Sequence, residues 1–217
     1  LSSVSSYMNT VEEAIFKNDG SAADYIDYES FARWILVHDI LGSSDAAGSN
    51  MFLYKEVFDE NNPVSSKLKM ATLWDFDTSF KRSATEWSAQ HIHSVFYYPQ
   101  LFKDKAFVQK YLELYNAYKD KVYSYVESYF NDLKADYGEA TRQSMQLHRM
   151  VYTNECKNTF DEQMDEVLEH LKSRMQSLQT LTATLESSTA VHEVSTQKVQ
   201  LLIRTDLLGN DFTTVPV

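Results

Sequence analysis

The chain has 217 residues, 43% of them apolar, and a formal net charge of -11 from 20 basic and 31 acidic side chains. That length and apolar share allow one large or two small domains with a real core, and the acidic balance excludes broad contact with a nucleic-acid backbone, which needs a basic stripe that releases counterions. No stretch reaches the roughly 18 uninterrupted apolar residues of a membrane span, and the single cysteine, Cys156, excludes an intrachain disulfide and a four-cysteine zinc site.

Only five glycines and three prolines occur, so most of the chain is expected to be helical. No pair of glycines has the spacing of a dinucleotide or Walker-type phosphate loop. Residues 1 to 20 lack the basic start and apolar run of a signal peptide, and a start at Leu1 reads as a piece cut from a longer protein. Residues 7 to 17 read as a short helix stopped by Asn18, Asp19 and Gly20. Asp27 is a plausible N-cap for a helix over 28 to 41, where Phe31, Trp34, Ile35, His38 and Leu41 share one face and Gly42 ends the run.

Residues 51 to 56 and 67 to 73 are short and apolar to alternating, with turn chemistry between them from Asp59 to Pro63, and together they read as a β-hairpin. Residues 81 to 100 have no clean period and read as an irregular segment closed by Pro99. Three helices are expected at about 104 to 131, 138 to 156 and 158 to 185, the last carrying Phe160, Met164, Val167, Leu168, Leu171, Met175 and Leu178 at helical spacing. Residues 187 to 196 then read as a linker, and 198 to 205 as a strand opening another module.

Hairpin geometry ties three polar positions together. Asp45 and Asn50 lie in the loop before the first strand, and Asp75 follows the second; the open end of an antiparallel hairpin brings Asn50 beside Asp75. Such a set of oxygen ligands suits Mg²⁺ that also binds phosphate. The order Asp-x4-Asn, strand pair, Asp-Phe-Asp also parallels the catalytic loop and metal-binding segment of protein kinases. A capping or turn residue at Asp45 and a strand-end turn residue at Asp75 are the plain structural readings of the same positions.

The string from Asp27 to Phe80 resembles the spore coat protein H (CotH) kinase family. It carries an Asp-x-x-Ser-Phe start, a Leu-x-x-x-Asp loop running on to Asn50 and the Tyr54-Lys55 pair, and the Trp74-Asp75-Phe76-Asp77 segment, in the family's order. The resemblance covers roughly residues 20 to 185 and implies a mainly α fold with a small β-hairpin, the C-terminal lobe of an atypical protein-kinase-like domain over 1–186, with 187–217 leading to a following module. It implies transfer of phosphate from ATP to protein Ser hydroxyls, with Asp45 as the catalytic-loop Asp, Asn50 and Asp75 holding Mg²⁺ and ATP, and Asp77 as a further metal carboxylate. The family's nucleotide-clamping half has no match here, which implies weak ATP binding and slow or no turnover by this chain alone. The implied partner is a protein substrate or a coat or surface protein, at a spore coat, cell surface or outside the cell. A non-catalytic scaffold or interaction module in the same setting is the rival reading.

Other signals point to structure. Asp75, Asp77, Ser79 and Glu86 fit four EF-hand positions, but Phe80 stands where that loop needs Gly. His91 and His93 lack a third ligand, His38 reads as a core histidine, and Trp34 and Trp74 read as core anchors. The tyrosines from Tyr111 to Tyr129 read as helix packing with exposed hydroxyls, and Cys156 has no neighbour that would make it a nucleophile.

Overall fold

Helices carry most of the chain because glycine and proline are scarce and apolar residues recur at helical spacing. The computed structural model describes residues 2–43, 46, 50–76, 78–80, 97–153 and 158–207, with 189–207 described by backbone alone. In order these form α1 (Ser2–Lys17), α2 (Ala22–Tyr25), α3 (Tyr28–Leu41), β1 (Leu53–Lys55), β2 (Leu68–Met70), α4 (Tyr98–Leu101), α5 (Lys105–Tyr118), α6 (Val122–Val151) and α7 (Phe160–Leu207). Residues 1–179 make one compact unit and 180–217 a second. The second is helical as far as Leu207.

The fold is thus mainly helical with a two-stranded antiparallel hairpin. α1 stops where expected, at Asn18 with a left-handed φ of 52°, followed by Gly20 at 87°. α3 begins at Asp27, whose carboxylate accepts from the Ser30 N–H at 2.9 Å, and ends at Gly42, whose φ of 65° suits a residue without Cβ. α5 begins the same way: Asp104 accepts from the Ala106 N–H at 2.8 Å, and its other oxygen accepts from the Tyr28 hydroxyl at 2.5 Å. One carboxylate therefore joins the starts of α3 and α5.

β1 and β2 pair with Leu53 opposite Met70, Tyr54 opposite Lys69 and Lys55 opposite Leu68. The period of two puts Leu68 and Met70 on the buried side, against α3, and sends Tyr54 and Lys69 outward. Lys55 closes the hairpin from within. Its ammonium donates to the Pro63 carbonyl at 2.9 Å and to the Ser66 carbonyl, and it lies 4.9 Å from the Tyr7 ring centre.

The core of the first unit is built from Val11 and Ile15 of α1, Phe31 and Ile35 of α3, Phe107 and Tyr111 of α5, and Leu171 of α7. A polar knot crosses it. The buried Asp39 carboxylate accepts from the Tyr111 hydroxyl at 2.6 Å, and the Asp39 backbone carbonyl accepts from Arg174 Nε at 2.9 Å and from its Nη2. Arg174 is 2% exposed, so burial lowers the pKa of its guanidinium, and burial beside Asp39 pushes the Tyr111 phenol well up.

Several boundaries differ from the sequence reading. The expected helices over 104 to 131 and 138 to 156 are instead α5 and α6, divided at residues 119–121, while α6 runs straight through Gly138. Gly138 permits a close approach there: a Cβ on it would lie 3.3 Å from the Arg142 guanidinium, which reaches across to Asp161 of α7 with two bonds of 2.8 and 3.0 Å. The pairs Arg142–Asp161 and Lys134–Asp165 set α6 and α7 antiparallel. The linker expected at 187 to 196 and the strand at 198 to 205 are helix, part of α7. No Gly or Pro interrupts 160–207, and among the described residues no strand pairs with this β-prone stretch.

Trp74 also departs from its expected core position, being 57% exposed, whereas Trp34 is buried as expected. The tyrosines divide: Tyr111 and Tyr115 are buried, while Tyr118, Tyr125 and Tyr129 face outward.

Tyr111→Phe leaves the buried Asp39 carboxylate short of a donor and should lower unfolding stability by about 1–3 kcal/mol in denaturant titrations near neutral pH. The folded state holds the Tyr111 phenol protonated above its ordinary value of 10.0, so its contribution is complete below that pH and lost as pH rises beyond it. Tyr111→Phe should therefore flatten the alkaline fall in stability, and an unchanged alkaline limb would remove Tyr111 from the account.

Candidate functional site

The C-terminal end of α3 is where the sequence-derived residues are anchored. The His38 carbonyl accepts from the N–H of Gly42 and, at 3.2 Å, from that of Ser43, which ends the helix and releases the chain into the loop toward Asn50. His38 itself is fully buried, as its place on the apolar face led one to expect. Its ring lies 4.1 Å from Trp34 and stacks on Phe76 at 5.1 Å with an interplanar angle of 22°.

That stack fixes the segment after the hairpin. Asp75 directly precedes Phe76 and is exposed, with a left-handed φ of 56°. Asp tolerates this conformation better than most residues because its short polar side chain bonds locally. Three residues beyond Phe76, Ser79 meets Ser43 with their hydroxyl oxygens 2.7 Å apart, and the Ser79 N–H donates back to the Phe76 carbonyl at 2.9 Å. Two contacts, one apolar and one polar, thus bind the Asp75 segment to the end of α3.

Asn50 is half-buried and stands two residues before Phe52, whose carbonyl accepts from the Ala71 N–H at 2.8 Å, one position past the named strands. The hairpin therefore runs its register toward Asn50 on one side and toward Asp75 on the other. Met51 adds a tie to the core, its sulfur accepting from the Tyr98 hydroxyl at 3.5 Å. Phe52 and Trp74, next in sequence to these residues, meet edge to face at 6.5 Å and are 49% and 57% exposed.

Asp45 and Asp77 lie outside the described residues, as do Glu86, His91, His93 and Cys156. Among the described residues no group of three or more His, Cys, Asp or Glu side chains could hold a metal ion, and no helix is long and apolar enough to cross a membrane. The candidate donors of this region, an Asn amide oxygen and carboxylates, are all oxygen and match a hard cation such as Mg²⁺ rather than a zinc-type site. Lys55, next to Tyr54 in the motif string, bonds within its own hairpin, and burial lowers the pKa of its ammonium.

The sequence reading missed Ser43, Ser79 and the knot of Asp39, Tyr111 and Arg174. A signal for Arg174 existed: it stands three residues after Leu171 and four before Leu178, both fully buried, so it occupies the apolar stripe of α7. Ser43 and Ser79 carry no periodic signal, since their meeting depends on the stacking of Phe76.

A family model described as CotH kinase protein matches residues 1–178. No curated protein and no solved structure matches the chain.

If Ser43 and Ser79 face one another, the pair Ser43→Cys and Ser79→Cys in a Cys156→Ser background should close a disulfide under mild oxidation. Peptide mapping by mass spectrometry reads it directly, and two free thiols after oxidation would contradict the docking of this segment.

Proposed function

The chain belongs to the CotH kinase protein family, and on that premise we propose that it forms the C-terminal, protein-kinase-like lobe of an enzyme that moves phosphate from ATP to protein Ser hydroxyls. Asn50 and Asp75, with Asp77, would hold Mg²⁺, which supplies neutralisation of phosphate charge when bound. The Asp45 carboxylate orients the acceptor hydroxyl and takes its proton as the serine oxygen bonds to the γ-phosphorus, and the bond from that phosphorus to the bridging oxygen of ADP breaks.

The observation that carries this reading is the pair of contacts at the end of α3. The loop to Asn50 leaves from Ser43, and the segment after Asp75 returns to Ser43 and His38. The segment after Asp75 is thereby docked on the helix end from which the chain runs on toward Asn50, and phosphoryl transfer by positioning demands such anchoring. The exposed Trp74 ring, with Phe52 edge-on beside it, adds an apolar face suited to a nucleotide base. The acceptor in this proposal is a coat or surface protein, and the site of action a spore coat or cell surface.

A second reading, a non-catalytic scaffold, draws on α6. Tyr125, Tyr129, Tyr137, Leu147 and Met150 on that helix are all exposed, Met150 by 78%, which is costly surface for a protein with no partner.

In the natural full-length protein, Asp75→Asn, which keeps a residue suited to the left-handed backbone and removes the carboxylate charge, should sharply weaken Mg²⁺-dependent ATP binding with a melting temperature close to that of the parent. Asp45→Asn should keep ATP binding and lose on the order of 100-fold or more in phosphate incorporation into a Ser-containing acceptor. Incorporation at the parental rate would take Asp45 out of the mechanism, and no incorporation by the parent would favour the scaffold.

A further inference from the structure

The side of α6 turned away from α7 carries an apolar strip with charge at its middle. Lys134 and Arg142 reach Asp165 and Asp161 of α7, and Arg149 donates to the Asn158 carbonyl, so the basic residues of α6 mark its inner side. At about 3.6 residues per turn, Tyr125, Tyr129, Asp132, Asp136, Leu147 and Met150 fall in one strip about 60° wide on the opposite side. All six are exposed. Gly138 is the one buried residue in the 30 of α6, so α7 covers its inner side and leaves this strip bare.

The order along the strip is aromatic, acidic, aliphatic. Asp132 and Asp136 make no ion pair among the described residues, whereas Glu139 beside them meets Arg142 at 4.0 Å. Anything that covers the tyrosines at one end and Leu147 and Met150 at the other also covers the two carboxylates between them. Carboxylates taken from water without a cation opposite are costly, so an uncharged apolar helix is a poor fit. A second copy of the chain fits worse. The middle of α6 lies between Asp136 and Tyr137, so a two-fold antiparallel pair would set these carboxylates against their own copies, on a chain that already carries a net charge of -11.

We propose that this strip docks an amphipathic helix of a partner protein, apolar toward both ends and carrying Lys or Arg in its middle, opposite Asp132 and Asp136. From Tyr125 to Met150 the strip is roughly 38 Å long, which a helix of about seven turns matches. The tyrosine rings cover the partner's aliphatic side chains while their hydroxyls keep to the wet rim. Apolar ends supply the affinity, and the central charges fix the register and reject acidic helices. The docking does not use Asn50 or Asp75. It gives the scaffold reading a partner of stated chemistry, and it serves an enzyme equally well as a means of holding a second protein.

The test is a displayed library of helical peptides of that length, randomised along one strip. It is panned in parallel on the parent chain, on its Asp132→Asn, Asp136→Asn form and on its Asp132→Lys, Asp136→Lys form. Both positions are exposed, so circular dichroism should show the same helix content in all three. The parent should enrich peptides that are apolar at both ends and basic at the centre. Those peptides should bind the Asn form about tenfold more weakly, and the Lys form should instead enrich peptides with Asp or Glu at the centre. No enriched helix on the parent, central positions without a preferred charge, or the same peptides on all three forms would each overturn the proposal. So would sedimentation of the parent as a dimer that Met150→Glu dissociates, since a second copy would then occupy the strip. ATP enters none of these measurements, so failure of the phosphate-transfer reading leaves their outcome unchanged.

Discussion

Asp39 is the residue on which three helices meet, and it sits next to the one that stacks on the Asp75 segment. Its carboxylate receives the Tyr111 hydroxyl from α5, and its carbonyl receives the Arg174 guanidinium from α7. A buried cation and a buried anion are each costly to remove from water, and they persist only where hydrogen bonds are placed for them. The benefit is directional. Apolar packing alone would let α3 slide or turn against its neighbours, whereas these bonds hold its last turn at one height and one rotation.

Everything proposed for function is downstream of that fixed end. Gly42 and Ser43 leave α3 from the His38 carbonyl, and Phe76 and Ser79 return to the His38 ring and the Ser43 hydroxyl. Phosphoryl transfer asks for little covalent chemistry from a protein and much positioning, which a loop can supply only if both its ends are held. The left-handed backbone at Asp75 is consistent with such a constraint, since the surrounding contacts of Phe76 and Ser79 oppose relaxation of that turn.

How much of this the sequence discloses depends on the range of each interaction. The limits of α3 are local: Asp27 caps it and Gly42 stops it, and both can be read from neighbouring residues. The hairpin is nearly as legible, because alternation and the turn cluster from Asp59 to Pro63 fix its two arms. Gly138 misled because a glycine normally punctuates a helix, and only the distant Asp161, which draws Arg142 across it, explains its presence inside one. The stretch at 198–205 misled for the opposite reason: its β-branched residues favour a strand locally, but pairing is a property of two segments. Of the candidate site, Asn50 and Asp75 could be named in advance, whereas the contacts that hold the Asp75 segment, Ser43 with Ser79 and Phe76 with His38, are long-range and invisible to any period.

The central claim is that Asn50 and Asp75 hold one divalent ion together with nucleotide. Paramagnetic broadening by Mn²⁺, a stand-in for Mg²⁺, measures that most directly in ¹⁵N-labelled full-length protein with and without ATP. The account predicts that the amide signals of Asn50 and Asp75 are the first to be lost on titration with Mn²⁺ in the presence of ATP. Broadening confined to other acidic surface, or identical with and without ATP, would contradict it.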